Sequence, residues 1–334
     1  MTRPPKSATG KRKWLPAAMI ALAAPLAAHG APPAWKPEKA VELIAVNAPG
    51  GGSDRICRIM ASVLQERRYV AVPTNVVNKP GGGGSLAYAY LNQHPGDGHY
   101  LVLASKAILT NNIVGLGPSH TEFTPVVNLF GEYISVVVKP DSPLRSGRDL
   151  VERLKKDPGS LSFGIATSLG NSNHQGAAAA LKEAGIDVRK LRTVIFQSGG
   201  AATTAMLGGH IDVVPITAGF AAAMVRQGQV RVIAVTSPRR LPGVLADVPT
   251  WREQGYEAVV SNWRNLIGPR GMTEAQVAYW EEVMRRMVES DDWKKDLELN
   301  FWTSEYMGSA ETLKYLERDN AQLRAFLVDL GLAK

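Results

Sequence analysis

Strand-like and helix-like segments alternate along the chain from Val41 onward, and this alternation is the strongest constraint on its fold. Short runs rich in β-branched residues are separated by segments with apolar residues at helical spacing. Such chains form α/β domains in which helices cover mainly parallel sheets. The predicted strands are 41–46, 74–78, 100–104, 134–139, 161–165, 193–196, 213–216 and 230–236, and the predicted helices are 55–67, 85–93, 147–156, 173–184, 201–208, 218–227, 273–289 and 309–330.

The last two predicted helices carry apolar stripes along one face. The first stripe includes Trp280 and Met284, and the second includes Leu313 and Leu316. Residues three or four positions apart lie on the same side of a helix, so these stripes indicate faces that pack on a core. The alternative is a face that binds a partner.

A glycine-rich turn links the first predicted strand to the first predicted helix. It consists of Pro49, Gly50, Gly51, Gly52, Ser53 and Asp54. Glycine adopts positive φ readily and lets a ligand approach the backbone, and a helix N-terminus offers free N–H groups to an anion. The turn therefore predicts an anion site in which Ser53 forms hydrogen bonds and Asp54 caps the helix. The alternative is a tight turn without a ligand, and the contiguous glycines fit neither a P-loop nor a dinucleotide fingerprint.

Three further glycine turns follow predicted strands, at 80–84, 168–173 and 198–200. In open α/β sheets, ligands bind at the carboxyl ends of the strands. Two of the four turns lie in the first third of the chain and two in the middle third. This distribution predicts two sets of turns that face each other across a cleft.

Residues 1–30 have the pattern of a removable export signal. A basic stretch without acidic residues runs from Arg3 to Lys13 and precedes an apolar run at 14–28. Ala28-His29-Gly30 forms a small-x-small cleavage site, which predicts cleavage before Ala31. The apolar run is too short and too broken by proline for a membrane span. Without a twin-arginine pair, Sec export is expected.

Charge and cysteine content narrow the function classes. The chain has 38 Lys and Arg against 30 Asp and Glu, and removal of the five basic residues of the leader leaves 33 against 30, a net charge of +3. A nearly neutral mature protein argues against nucleic-acid binding. Cys57 is the single cysteine, so an intrachain disulfide is excluded, and its helical pattern predicts a buried apolar side chain. Because no cysteine stands at the cleavage site, a soluble protein without a lipid anchor is expected.

Several short stretches, taken in order, resemble one family of binding proteins. They are PGGGSD at 49–54, NKPGGGGS at 78–85, DGHYLV at 97–102, FTPV at 123–126, SLGNSNHQ at 168–175, FQSGGAATTAMLGGHIDV at 196–213 and VTSPRRLPGVLADVPTWREQGY at 235–256. The chain resembles the substrate-binding proteins of tripartite tricarboxylate transporters, the Bug-type extracytoplasmic receptors, over nearly its whole mature length. His99, Gln175, Phe196 and Ser198 depart from the family pattern. The segment NWRNLIGPRGM at 262–272 resembles the tricarboxylate-receptor branch.

This resemblance implies a two-lobed periplasmic binding protein of the type II-like α/β class, with the ligand in the cleft between lobes. The predicted lobes are 31–132 together with 258–334, and 133–257, with hinges near 131–133 and 258–262. The implied function is a periplasmic receptor that closes on a small organic anion, a di- or tricarboxylate. The receptor would present this anion to the membrane subunits of a tripartite transporter. A monomer suits such a shuttle.

Carboxylate capture requires N–H and O–H donors more than many charges. We expect backbone donors around 50–53 in one lobe and 198–201 in the other, and Arg264 as a bidentate cation, with a salt bridge as its alternative role. Asp54 is expected to organise its turn or to hold a water, and His174 is either a donor or structural. The predicted ligand-binding residues are Pro49, Gly50, Gly51, Gly52, Ser53, Asp54, Ser85, Ser168, Asn173, His174, Ser198, Gly199, Gly200 and Arg264.

Other function classes have less support in the sequence. No Gly-x-Ser-x-Gly elbow, HExxH motif or paired cysteine nucleophile is present, so an exported hydrolase or lyase is not expected. The spacing of His94, Asp97 and His99 does not predict a metal site, and no cofactor is expected. A periplasmic sensor that signals to a membrane histidine kinase remains the alternative to transport, because both roles use the same binding fold.

Overall fold

The fold is that of a computed structural model, in which residues 1–4, 35–166, 169–196 and 198–333 are described. Most of the predicted export signal and Ser168 lie outside these ranges. The strands are β1 (Val41–Ala45), β2 (Thr74–Asn78), β3 (Tyr100–Ser105), β4 (Thr124–Val138), β5 (Ser162–Ala166), β6 (Arg192–Phe196), β7 (Val214–Thr217), β8 (Arg231–Val235), β9 (Ser261–Gly268) and β10 (Trp302–Met307). The helices are α1 (Gly52–Glu66), α2 (Ser85–Leu91), α3 (Ala107–Ile113), α4 (Gly147–Lys156), α5 (Ser172–Glu183), α6 (Gly199–Leu207), α7 (Ala218–Arg226), α8 (Glu274–Glu289), α9 (Asp291–Asn300) and α10 (Ser309–Asp329).

The main sheet has the strand order β10-β4-β9-β3-β1-β2. Strands β2, β1 and β3 run parallel, as expected for strands joined through helices, and β9 joins them antiparallel to β3. A separate parallel pair is formed by β5 and β6. The carboxyl ends of β1 and β3 therefore meet at one edge of the sheet, where the glycine turn after β1 begins.

Strand β4 is the longest strand and has different partners along its length. Its first part pairs with β9 and β10, and its last residues pair with β7 and β8. The predicted hinge at 131–133 lies within this continuous strand, where Tyr133 pairs with Ser261 of β9. The division into lobes at this point stays a prediction.

The elements with clear periodicity are predicted well, whereas several others are missed. The first half of β4, strands β9 and β10, and helices α3 and α9 have no counterpart among the predicted elements. Strand β9 contains Asn265, which is fully buried although it is polar. Polar residues at buried positions conceal the alternation from which a strand is recognised.

The core confirms both apolar helix stripes. Trp280 and Met284 of α8 are fully buried, and Leu316 of α10 is 2% exposed. Leu313 departs from the prediction, since it is 39% exposed. Thr312 is buried in its place and its hydroxyl donates to the Met307 carbonyl at 3.1 Å, so the buried face is turned by one residue at this end of α10.

Cys57 lies inside the fold, as expected. It is 1% exposed, and burial raises the pKa of its thiol, so the group is not available as a nucleophile. Within the part of the chain that the structure describes, no helix has both the length and the apolar character to cross a bilayer.

Candidate functional site

The turn after β1 is organised by the carboxylate of Asp54. Helix α1 starts at Gly52 with Gly51 as its N-cap, so Asp54 lies in the first turn and the expectation that it caps the helix is wrong. Its two oxygens accept from Gly50 N–H, Asn78 Nδ2 and Arg58 Nε, each at 2.9 Å. These donors belong to the first glycine of the turn, to helix α1 and to the end of β2, so one carboxylate ties the turn to both elements.

The same contacts keep Asp54 ionised. The Arg58 hydrogen bond, followed by that of Gly50, lowers the pKa of the Asp54 carboxyl to about 2. Only 2% of the residue is exposed. This geometry agrees with the expectation that Asp54 organises the loop.

Most of the amides expected to bind an anion are already occupied within the turn. Gly50 N–H donates to Asp54, Gly51 N–H to the Ala48 carbonyl at 2.9 Å and Ser53 N–H to Asn47 Oδ1 at 3.0 Å. Of the glycine amides, only that of Gly52 has no acceptor among the described residues. The expectation of several free donors at 50–53 is therefore corrected to Gly52.

Ser53 is held by Asn47, a residue that the sequence analysis did not single out. The Ser53 hydroxyl donates to Asn47 Oδ1 at 2.8 Å and accepts from Asn47 N–H at 3.0 Å. Two positions in this turn require glycine: Gly50 has φ of +80°, and a Cβ on Gly51 would lie 2.6 Å from Asn47 Cβ. Pro49 precedes them in the turn.

Two cavities share a wall beside this turn. The first has a volume of about 300 Å³ and contains Asn47, Ser53 and Arg264 on its wall. The second, of about 290 Å³, contains Asn173 and Asn262. Both are lined by Gly83, Ser105 and Ala107, so we regard them as one polar cleft at the carboxyl end of β3.

The second glycine loop closes one side of this cleft. Residues 81–84 all have positive φ, from +55° to +130°, which explains the run of glycines. Asn111 Nδ2 donates to the Gly83 carbonyl at 3.0 Å. The Ser85 hydroxyl donates to the carbonyls of Gly82 and Leu116 at 2.8 and 3.1 Å and is absent from both cavity walls, so it supports the loop and does not fit its predicted role as ligand donor.

The N-terminus of α5 forms the opposite side of the second cavity. Asn171 caps this helix by accepting from His174 N–H at 2.9 Å, and Ser172 Oγ donates to Asn262 Oδ1 at 3.2 Å. Asn173, which was predicted to bind the ligand, lines the cavity, and its role in binding stays a prediction.

His174, in contrast, points into the fold. It is 3% exposed, its Nδ1 accepts from Gly170 N–H at 2.9 Å and its ring contacts Phe326 edge-on. Burial lowers the pKa of the imidazole to about 4, so the ring is neutral near neutral pH. The residue is absent from the walls of the cleft, which favours the structural alternative for His174.

The second predicted group of backbone donors, at the start of α6, lies apart from the cleft walls. Ser198 caps the helix, and its Oγ accepts from Ala201 N–H at 3.1 Å. Gly199 and Gly200 form the first turn, and a Cβ on Gly200 would come 4.0 Å from the Phe220 ring. Phe220 lines a third cavity, of about 420 Å³, together with Gly52 and Glu132. The role of 198–200 in binding stays a prediction.

Arg264 combines the two roles that the sequence leaves open. It lies on β9, opposite Ser105 of β3, and lines the first cavity. Its Nη2 also forms an ion pair with Glu132 of β4. The two side chains are 13% and 16% exposed. Arg264 is therefore both a residue of the cleft wall and one partner of a partly buried ion pair.

A buried cluster beneath the cleft positions its wall. Lys106 Nζ and Asp319 Oδ1 are 2.9 Å apart, and Trp263 Nε1 donates to Asp319 Oδ2 at 2.7 Å. Lys106 follows Ser105, and Trp263 separates Asn262 from Arg264. One carboxylate of α10 thus fixes two strands whose neighbouring residues line the cleft. Removal of one partner from such a buried pair costs about 3–5 kcal/mol.

Sequence reasoning missed Asn47, Ser105, Asn111 and Asn262. Ser105 ends a predicted strand, so the rule that ligands bind at carboxyl strand ends was a usable signal. The three asparagines have no such signal, because their positions depend on contacts between distant segments.

The histidines considered for a metal have other contacts. His94 stacks on Tyr100 with ring centroids 3.6 Å apart, and His99 Nδ1 lies 2.5 Å from Asp97 Oδ1. Across the described ranges, no three His, Cys, Asp or Glu side chains converge as metal ligands would.

The fold matches those of several solved proteins, including the periplasmic binding protein BugD. A solute-binding protein from Polaromonas, solved without ligand, superposes with a TM-score of 0.76 at 24% identity, covering 88% of this chain and 99% of that one. An R. palustris protein with adipate has a TM-score of 0.74 at 21% identity, with 89% and 99% covered. MatC from Rhodopseudomonas palustris with bound malate has a TM-score of 0.68 at 21% identity, with 86% and 99% covered. These likenesses establish the periplasmic-binding-protein fold.

The sequence then places the chain within one family of this class. Residues 56–332 match the tripartite tricarboxylate transporter family receptor model, and the chain belongs to this family. Protein BugT of Bordetella pertussis is 26% identical over 241 residues, which cover 70% of this chain and 72% of that protein. The resemblance to Bug-type receptors is thereby confirmed.

Proposed function

We propose that this protein is a periplasmic receptor that binds a small organic anion with at least two carboxylates and delivers it to the membrane subunits of a tripartite transporter. Family membership supports a receptor for transport. The adipate and malate in the two R. palustris structures support a dicarboxylate as the ligand class.

The observation that carries this proposal is the composition of the polar cleft. Its two cavities bring together hydroxyl and amide groups from Ser53, Ser105, Thr110 and Ser172, and from asparagines at 47, 111, 171, 173 and 262. Among the residues that the structure describes, Arg264 is the only ionisable side chain on these walls. Neutral donors with one guanidinium suit carboxylate oxygens, because charge-assisted hydrogen bonds are about twice as strong as neutral ones.

The cleft composition also supports binding without catalysis. No Cys, His, Asp or Glu lines either cavity in the described part of the chain. The site therefore offers no general base and no thiolate to act on a ligand.

The positions of the lining residues support capture by lobe closure. Gly83 and Ser105 belong to predicted lobe 31–132, whereas Asn171 and Asn173 belong to predicted lobe 133–257. A ligand that bonds to both groups stabilises the conformation in which they face each other. With export through the leader, the protein acts as a monomer in the periplasm.

Thermal unfolding of residues 31–334 with a carboxylate panel tests this function. The panel contains succinate, malate, adipate and citrate, with sulfate and an uncharged amide as controls. A ligand at 100 times its Kd adds about 2.7 kcal/mol to stability, so Tm rises by a few degrees. No rise with any carboxylate, or an equal rise with sulfate, would contradict the proposal.

Replacement of the cleft cation tests the site itself. In Arg264→Gln the charge-assisted hydrogen bond is lost, and we expect Kd for the best dicarboxylate to rise about 10- to 100-fold. Arg240→Gln is the matched control, because Arg240 forms an exposed ion pair with Glu253. Calorimetry measures both variants, and equal affinity in Arg264→Gln and wild type would exclude this role.

A further inference from the structure

The charge of Arg264 is compensated before any ligand enters. Its Nη2 pairs with Glu132, and its Nη1 makes only long contacts to the backbone carbonyls of Asn262 and Trp263, at 3.4 and 3.3 Å. The Nε–H group has no acceptor among the described residues. Arg264 thus retains a donor for a ligand, but the pair with Glu132 carries no net charge.

Glu132 is fixed in this position by neighbouring strands. Its Oε1 accepts from Trp302 Nε1 of β10 at 3.0 Å, and its Oε2 accepts from Asn262 Nδ2 of β9 at 3.4 Å in addition to Arg264. A carboxylate with donors on both sides does not swing away when an anion approaches. We therefore expect it to stay beside Arg264 when a ligand is bound.

The two residues of this ion pair line different cavities. Arg264 lines the first cavity, and Glu132 lines the third, which also contains Gly52. The negative charge of Glu132 is therefore close to any anion that occupies the first cavity near Arg264. A neighbouring like charge disfavours an ionised carboxylate, and the repulsion is stronger where water is partly excluded.

We propose that Glu132 is a specificity-determining residue that limits the negative charge of the ligand, so that a dicarboxylate is preferred to a tricarboxylate of the same skeleton. This inference rests on the proposed function and names the ligand class of the same site. Selectivity often depends on a repulsive element directed against the competing ligand, and the fixed carboxylate of Glu132 supplies it. Each additional ligand carboxylate meets this repulsion, and the described residues of the cleft walls include no cation besides Arg264.

Glutarate and tricarballylate provide the probe, because they share a three-carbon skeleton and differ by one carboxylate. Calorimetry at about pH 8, where the carboxyl groups are ionised, measures Kd for both ligands. Wild type is expected to bind glutarate more tightly. Glu132→Gln is expected to increase the affinity for tricarballylate relative to glutarate by about tenfold, since one neighbouring charge is worth at least one pK unit.

Two control variants separate charge from structure. Glu132→Asp keeps the carboxylate and is expected to leave the ratio of the two Kd values unchanged. The double variant Glu132→Gln/Arg264→Gln removes both charges and is expected to restore the wild-type ratio, although both ligands bind more weakly. A merely structural role of Glu132 would lower both affinities together and would not be reversed by the second substitution.

The outcomes distinguish this inference from the proposed function. If wild type binds tricarballylate more tightly than glutarate, the inference fails without any variant. It fails equally if Glu132→Gln leaves the ratio unchanged while wild type still binds dicarboxylates, and the proposed function then stands. If wild type binds no carboxylate at all, both are overturned.

Discussion

At the scale of single side chains, Asp54 and Ser53 show that polar residues able to bind a ligand can stabilise a turn. Ser53 was predicted to form hydrogen bonds to an anion and Asp54 to organise its turn or hold a water, and both side chains form hydrogen bonds within the turn. Asp54 accepts three of them, and Ser53 exchanges three with Asn47. A glycine turn lacks side chains to hold its shape, so neighbouring polar groups must fix it.

At the same scale, the buried ring of His174 makes stability depend on pH. Its pKa is about 4 in the fold, against about 6.5 when unfolded. Between these values the unfolded state binds a proton that the folded state excludes. The stability that burial of the neutral ring contributes is therefore complete above pH 6.5. It is lost as the pH falls toward 4, by up to about 3 kcal/mol.

Urea unfolding at pH 7 and at pH 4.5 measures this effect. His174→Gln keeps an acceptor for Gly170 N–H, and its stability is expected to change less between the two pH values than that of wild type. His210→Gln is the control, because His210 is exposed. An equal pH response in His174→Gln and wild type would show that another group is responsible.

At the scale of elements, the turn between β1 and α1 depends on a bare backbone. In Gly51→Val, the added Cβ would lie 2.6 Å from Asn47 Cβ and 2.9 Å from the Ala48 carbonyl oxygen. Asn47 must then move, and Ser53 moves with it. We expect weaker carboxylate binding and a loss of about 1–3 kcal/mol in the free energy of unfolding, the range typical of overpacking, and therefore a lower Tm.

Gly52→Ala is the matched control for the effect of close packing on stability. No atom lies within 4 Å of a Cβ at Gly52, so little change in Tm is expected. Calorimetry with the best dicarboxylate and thermal unfolding measure both variants. Wild-type affinity and Tm in Gly51→Val would rule out the close packing of this turn as a requirement.

Strand β9 shows why some elements are not recognised from the sequence. Helix α8 is recognised because its apolar residues recur at helical spacing. In β9, by contrast, Asn265 is buried and Arg264 lies at a partly exposed position next to fully buried Trp263. Their pattern follows from partners on β3 and β4, which are distant along the chain, so local periodicity does not reveal the strand.

At the scale of the whole molecule, the cleft unites segments from both predicted lobes. Asn262 of β9 and Ser172 of α5 are joined by a hydrogen bond at 3.2 Å, although 90 positions separate them. A ligand in this cleft adds further bonds across it. We therefore expect saturating dicarboxylate to reduce the radius of gyration by favouring the closed conformation.

Small-angle X-ray scattering of residues 31–334, with and without ligand, measures this change. Arg264→Gln at the same ligand concentration serves as the control, since weaker binding leaves more of it in the unliganded state. Identical profiles for wild type with and without saturating ligand would count against closure.

The sequence by itself determined the alternation of strands and helices, the glycine turns, the apolar faces of α8 and α10 and the family. These features are encoded by neighbouring residues, through periodicity and backbone preference. Only the tertiary structure decided which donors are free, that His174 is buried and that Arg264 pairs with Glu132, 132 positions away. Burial and hydrogen-bond partners are set by contacts between distant segments, so no local sequence pattern predicts them.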